Sequence, residues 1–264
     1  MFMIRKLNFK DKKKILDFCY KNEKENLFAI GSFKFYKNPF KENIYWGYFD
    51  GTKITGLAVY FGRFGNFVIN TSDKKVMNEL IDEGVNSKIK IICISAFEKY
   101  AKPMLLRLKN KYKLVPKKHS DEIVFVLNKK DFKDFSEGDE KQALVKDIDE
   151  LARLNGDINF VNDEERKRVF PKNEFILRKH GKIVSKANLH GVSKKYFQIG
   201  GVVTIKKYRR KGYASRVVSS LCKYHFKKGI KFGLLFTNKD NIAAQNLYKS
   251  IGFKIIDKFI IAEF

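Results

Sequence analysis

Hydrophobic positions along the chain alternate between a period of two and a period near 3.6, the signatures of half-buried strands and amphipathic helices. Residues 2–7 predict a strand, and Ile15, Phe18 and Cys19 fall on one face of a helix over 12–20. Residues 44–49 and 54–61, joined at Asp50-Gly51, carry the pattern of a β-hairpin, and 67–70 add a third strand. A helix over 76–81, a β-branched strand over 89–95, a helix over 104–109 and a strand over 122–127 complete one α/β unit near Asn128.

Residues 129–141 hold nine charged side chains and little large apolar surface, which predicts a linker. A second unit follows. Asp147 is placed to cap a helix, with Glu150 three residues on and Ile148, Leu151 and Ala152 on one face. Residues 175–178, a turn at His180-Gly181, 183–189 and 196–204 predict three sequential antiparallel strands. Beyond Gly212, Ala214, Val217, Val218, Leu221, Cys222 and His225 form one apolar helical stripe. A strand over 232–236, a helix with Ala243, Ala244, Leu247, Tyr248 and Ile251 on one face, and a strand over 253–262 close the chain. The two halves share an order of elements without an obvious sequence repeat.

A length of 264 residues suits two domains of about 130, taken here as 1–130 and 138–264. Hydrophobic content of 44% supplies material for two cores despite a formal net charge of +26. That charge favours anionic partners, although lysines spread over solvated faces would give the same count. Cys19, Cys93 and Cys222 are widely spaced in apolar runs, which predicts buried, reduced thiols rather than disulfides. The four histidines and three cysteines form no ligand-spaced cluster, so no metal is expected. Without a long uncharged apolar stretch or a signal-peptide core, no membrane partner and a cytoplasmic location are expected.

The chemistry concentrates where residues 202–214 run from a strand through a basic loop, Lys206-Lys207-Tyr208-Arg209-Arg210-Lys211-Gly212, into a helix. A helix start offers unpaired N–H groups and a positive dipole end, which suit a phosphate. Gly212 permits close approach of an anion, and Ala214 keeps the first turn uncluttered. Arg209-x-x-Gly212-x-Ala214 resembles the Arg/Gln-x-x-Gly-x-Gly/Ala signature of the GNAT acetyltransferase superfamily. Asn241-x-x-Ala244-x-x-Leu247-Tyr248-x-x-x-Gly252-Phe253 is similar to that family's Asn-x-x-Ala-x-x-Leu-Tyr-x-x-x-Gly-Phe segment. Taken alone each is a modest signal, and Tyr248 alone would read as a core tyrosine; together they point one way.

The resemblance implies an α/β (α+β) protein of two tandem GNAT-like domains, each a mixed, mostly antiparallel sheet flanked by helices. It implies acetyl-CoA as acyl donor, with main-chain groups of Val202, Val203 and Thr204 on the pantetheine arm. Amides from Arg209, Arg210, Lys211, Gly212, Tyr213, Ala214 and Ser215 would hold the pyrophosphate, Asn241 would bond pantetheine or the acetyl region, and Tyr248 would be the general acid. The acceptor would be a primary amine of a small molecule or peptide, attacking the thioester directly in a ternary complex. His225 and Cys222 read as packing residues on the helix stripe.

No Asp or Glu occurs between Glu174 and Asp240, whereas 206–231 holds ten Lys or Arg. This field suits CoA phosphates and an acceptor bearing carboxylate or phosphate groups. The strand over 196–204 offers only Gln198 and Thr204 as polar side chains beside its Tyr, hence no obvious base. Freeing an ordinary lysine-like amine at pH 7 costs about 4 to 5 kcal/mol, and the expected means are the positive field and water, with Asp157, His190 or Glu263 as direct bases. The first half has no Arg/Gln-x-x-Gly-x-Gly/Ala loop between Phe67 and Glu83 and no Asn or Gly-Phe signature, which predicts a degenerate, non-catalytic domain. Two rival readings are tRNA-dependent aminoacyl transfer and a basic nucleic-acid-binding or regulatory module with a vestigial CoA pocket.

Overall fold

The computed structural model describes residues 2–156, 163, 166 and 169–264. They form two units: the first comprises Met1–Val124, Phe236–Asp240 and Ile256–Phe264, and the second comprises Phe125–Leu235 and Asn241–Ile255. The units therefore do not follow chain order, unlike the contiguous division expected from the sequence. The last strand of the chain is the reason, since most of it completes the sheet of the first unit.

In the first unit the order along the sheet is β1 (Phe2–Lys6), β2 (Asn43–Asp50), β3 (Lys53–Phe61), β4 (Asn66–Asn70), β5 (Cys93–Phe97) and β12 (Lys254–Glu263). All neighbours are antiparallel except β4 and β5, which run parallel and meet only at Asn66↔Cys93. Ile15 and Cys19 of α1 (Lys12–Lys21) and Ile30 of α2 (Leu27–Phe35) pack with Tyr45, Leu57 and Val59 in the core. A short α3 (Pro39–Glu42) leads into β2.

Two longer helices, α4 (Lys74–Asn86) and α5 (Glu98–Tyr112), are tied together at Asp82, which accepts hydrogen bonds from Arg107, Lys111 and Tyr112. Burial alone would raise the Asp82 carboxyl; the three donors outweigh it and hold the group well below the usual carboxylate range. A depressed acid stabilises the fold fully above its unfolded pKa, near ~4, and loses that contribution as pH falls through its folded value. Asp82→Asn is thus expected to cost about 1–3 kcal/mol at neutral pH. In denaturant titrations repeated at falling pH, the gap from the native chain should close below about pH 4; a gap independent of pH would contradict this account.

The second unit repeats the scheme in the order β6 (Lys118–Asn128, of which Phe125–Asn128 belong to this unit), β11 (Phe232–Asn238, here as far as Leu235), β10 (Tyr196–Thr204), β9 (Lys182–Val192), β8 (Glu174–Lys179) and β7 (Lys141–Gln142). β7, β8, β9 and β10 are antiparallel in turn, and β10 runs parallel to β11. One face carries α6 (Ile148–Gly156), whose Leu151 and Ala152 pack with Ile176 and Ile183. The other carries α7 (Tyr213–Lys227): Phe175 packs on Tyr224, and Phe197 packs on His225 and Phe226. The predicted stripe of α7 is buried at Val217, Val218, Leu221, Cys222 and His225. Asp147 accepts from Leu144 N and pairs with Arg178, which also holds Glu150, so both acids fasten α6 to the β8–β9 hairpin.

The charged stretch expected to be a linker is instead part of the second unit. Buried Arg216, in the first turn of α7, gathers Glu137, Asp139 and Glu140, and Lys223 pairs with Asp134. With Lys179, which pairs with Asp139, the acids of that stretch compensate three cations of the acid-free region.

Candidate active site

β10 carries the site because it cannot pair along its whole length. Its ladder with β11 covers only Tyr196↔Phe232, Phe197↔Gly233 and Gln198↔Leu234. Beyond Gln198 the strand is irregular, with register breaks against β9 at Gln198/Ile199 and between Gly200 and Val203, and with Gly201 left-handed at φ +52. The edge of β10 from Ile199 to Thr204 is therefore without a ladder to β11. Gln198 Nε2, a buried donor without a partner, lies where that ladder ends. An orphaned buried donor is costly unless something else satisfies it.

The strand leads into the basic loop. Ser185 Oγ donates to Val203 O at 3.2 Å, and Arg209 Nε to Thr204 O at 3.1 Å, fixing the loop on the strand end. Val202, Val203 and Thr204 are half-buried. Arg210 and Gly212 both take left-handed backbone, φ 62 and 76, and Gly212 begins α7 with no side chain capping it. The first intrahelical bond is Arg216 N to Gly212 O, so the amides of Tyr213, Ala214 and Ser215 precede it. A Cβ at Gly212 would meet nothing within 4 Å, so its need is conformational and the space beside it is open. Among the described residues no carboxylate pairs with Lys206, Lys207, Arg209, Arg210 or Lys211. Uncapped amides, an open cradle and five uncompensated cations fit a pyrophosphate.

The corresponding helix of the first unit is capped. α4 begins at Asp73, whose Oδ1 accepts from Lys75 N at 2.7 Å and Val76 N at 3.0 Å. Its own carboxylate occupies the place an anion would take. Asn66 Nδ2 also donates to Ser95 Oγ, and Ser95 N to Asn66 Oδ1, stitching β4 to β5 where the second unit's strands part.

Asn241 and Tyr248 sit at the two ends of α8 (Ile242–Ile251). Asn241 Oδ1 accepts from Ala244 N at 3.1 Å as the helix N-cap, leaving its Nδ2 as the group available to a ligand. Tyr248, 7% exposed, packs between Phe125 and Phe253 with ring centroids 6.0 and 5.9 Å away. Burial pushes its phenol up to about 12, so it holds its proton. Gly252 ends the helix at φ +107, and a Cβ there would lie 2.1 Å from Asp131 O, which explains that glycine. All the predicted site residues thus lie in the second unit.

Three groups were not singled out by the sequence: Lys186 and Glu174, both fully buried and paired at 3.0 Å, and Asn188, which donates to Glu174 at 2.5 Å. Of the bases weighed, Asp157 lies outside the described residues, and Glu263 belongs to the first unit, 3.6 Å from Lys118. His190 lies on β9 over Gly200. His225 stacks on Phe197, and burial raises the Cys222 thiol far above its ordinary range, so both pack rather than react.

Residues 137–253 match the acetyltransferase (GNAT) family. Solved structures share the fold over the whole chain. A Drosophila protein is similar at a TM-score of 0.72 and 11% identity, over 100% of this chain and 99% of that one. A tandem GNAT protein from the clavulanic acid biosynthesis pathway scores 0.62 at 9% identity over 100% and 98%. A GNAT-family acetyltransferase from Colwellia psychrerythraea scores 0.61 at 13% over 99% of each. No curated protein matches the sequence. The chain has the tandem GNAT fold. The match of residues 137–253 to the acetyltransferase (GNAT) family supports an acyltransferase function. Among the described residues no helix is long and apolar enough to cross a membrane, and no three His, Cys, Asp or Glu are grouped to hold a metal ion.

Proposed function

We propose that the second unit transfers an acetyl group from acetyl-CoA to a primary amine by direct attack in a ternary complex. The observation that carries this reading is the uncapped start of α7 behind the left-handed Arg210–Gly212 turn, set among uncompensated cations at the end of a strand that its neighbour leaves. Amides from Arg209 to Ser215 hold the pyrophosphate. Main-chain groups of Val202, Val203 and Thr204 pair with the pantetheine arm, and Asn241 Nδ2 with an amide of that arm. The thioester supplies the activated acyl group. Tyr248 protonates the departing sulfur, and the orphaned Gln198 Nε2 supports binding of a polar group near the strand opening. The surplus of positive charge favours acceptors that carry a carboxylate or phosphate.

The test measures acetyl-CoA binding by calorimetry and thiol release with amino acids, polyamines, aminoglycosides and peptides. Saturable binding with amine-dependent release is expected, anionic amines being the better acceptors. The triple substitution Lys207→Gln, Arg210→Gln, Lys211→Gln is expected to weaken acetyl-CoA binding about tenfold or more, with a smaller penalty at high salt. Absence of acetyl-CoA binding, together with salt-sensitive binding of RNA or DNA, would replace this reading by a nucleic-acid module; transfer from an aminoacyl-tRNA instead of acetyl-CoA would replace it by aminoacyl transfer.

A further inference from the structure

β10 presents no side chain at position 200, and the reason is a residue on its neighbour. The register between β9 and β10 passes from Gln198↔Gly191 to Ile199↔Leu189, so β9 takes two steps for one and His190 is the extra residue of a β-bulge. Bulges re-aim side chains. Here the ring is turned across the strand: a Cβ at Gly200 would lie 2.1 Å from His190 Cε1, 2.3 Å from Nδ1 and 2.7 Å from Nε2. The imidazole fills the volume that a side chain from β10 would use, two residues past the last β10–β11 pair.

The ring is reachable. His190 is exposed, while crowding by protein and the charge of Lys186 depress its pKa to about 4. Lys186 on β9 is the charged group that acts on the ring, and it is paired with Glu174 on β8. Both oxygens of Glu174 are taken, by Lys186 and Asn188, and neither it nor Lys186 is exposed. His190 is thus a reachable proton acceptor beside the strand opening.

We propose that His190 is a catalytic residue, the general base that takes a proton from the acceptor nitrogen. This rests on the acetyl-transfer reading above. Deprotonating a free ammonium outright is beyond an imidazole of low basicity, so the proton moves as the C–N bond forms, when the nitrogen becomes far more acidic. The amine lone pair adds to the thioester carbonyl, the imidazole takes an N–H proton, the C–S bond breaks, and Tyr248 protonates the thiolate. The imidazolium then returns its proton to the tyrosinate through solvent. An amine that enters neutral leaves as the amide, with CoA as the free thiol and both side chains reset.

The experiment compares the native chain with His190→Ala and His190→Gln, using acetyl-CoA as donor and the amine panel as acceptors. Both variants should bind acetyl-CoA as the native chain does and unfold at the same temperature, with kcat about 10²-fold lower and KM little changed. Free imidazole should restore turnover to His190→Ala in proportion to its neutral form, a rescue that a merely structural role would not give. Near-native kcat in His190→Gln, or a loss in His190→Ala that imidazole does not repair, would overturn the assignment and leave the acetyltransferase reading intact. If the native chain itself failed to bind acetyl-CoA, both would fall.

Discussion

Replacing Tyr248 by Phe is expected to lower kcat by about 10²- to 10⁴-fold, the usual worth of a positioned acid, while acetyl-CoA binding and thermal stability stay near native. The substitution keeps the ring, and with it the packing on Phe125 and Phe253. The phenol has an energetic handicap. Its pKa is pushed up to about 12, whereas a solvated thiol lies near ~8.5, and the difference corresponds to about 5 kcal/mol against transfer. The same desolvation raises the basicity of a thiolate formed beside it, so the two groups are more closely matched in the site than in water. The benefit of a high phenol pKa is constancy: the acid is protonated across the working range. The rate profile of the native chain should therefore show no alkaline limb from Tyr248 below about pH 11. Such a limb near pH 9 that disappeared in Tyr248→Phe would show a far more acidic phenol. Native kcat in Tyr248→Phe would return this residue to the core.

The parts of the fold legible in the sequence are those whose partners are close or whose period is clean. The α7 stripe, the β2–β3 hairpin and α8 all follow from apolar spacing. α2 carries no periodic signal because Leu27, Ala29, Ile30, Gly31 and Ser32 are all buried, leaving no polar face to mark a period. α5 extends well past the predicted 104–109, with Pro103 inside it, and its early turns look unhelical from composition alone. The stretch 129–141 reads as a linker because its acids find partners far along the chain, at Arg216 and Lys223.

The same distinction runs through the site. Arg209, Gly212, Ala214, Asn241, Tyr248, Gly252 and Phe253 stand at fixed spacings that backbone geometry demands, so they can be read in order. The left-handed turn, the N-cap and the close approach of Gly252 to Asp131 O supply those demands. His190 over Gly200, and Lys186 with Glu174, depend on register and on a bulge, which no local pattern encodes. The absence of the motif from the first unit was readable, but the carboxylate of Asp73 in the cradle emerged only with the structure.

The buried pair Lys186–Glu174 gives the largest stability effect expected in the second unit. Either Lys186→Met or Glu174→Leu should cost about 3–5 kcal/mol, because each leaves an unpaired charge in a fully buried position, whereas the double substitution should be close to neutral. A double-mutant cycle by denaturant unfolding measures the coupling; additive losses would mean that the charges are solvated and independent. The pair also has a bearing on catalysis. Lys186 Nζ lies 3.7 Å from where a Cβ on Gly201 would be, and its charge is one cause of the low pKa of His190. Removing that charge makes imidazolium less unfavourable, so the His190 pKa should rise from about 4 in the stable double variant, followed through its ring Cε1 proton by NMR. If stability survives and His190 shifts upward, an apolar pair suffices for folding, and the role left for the ion pair is to keep the imidazole unprotonated beside the opening of β10.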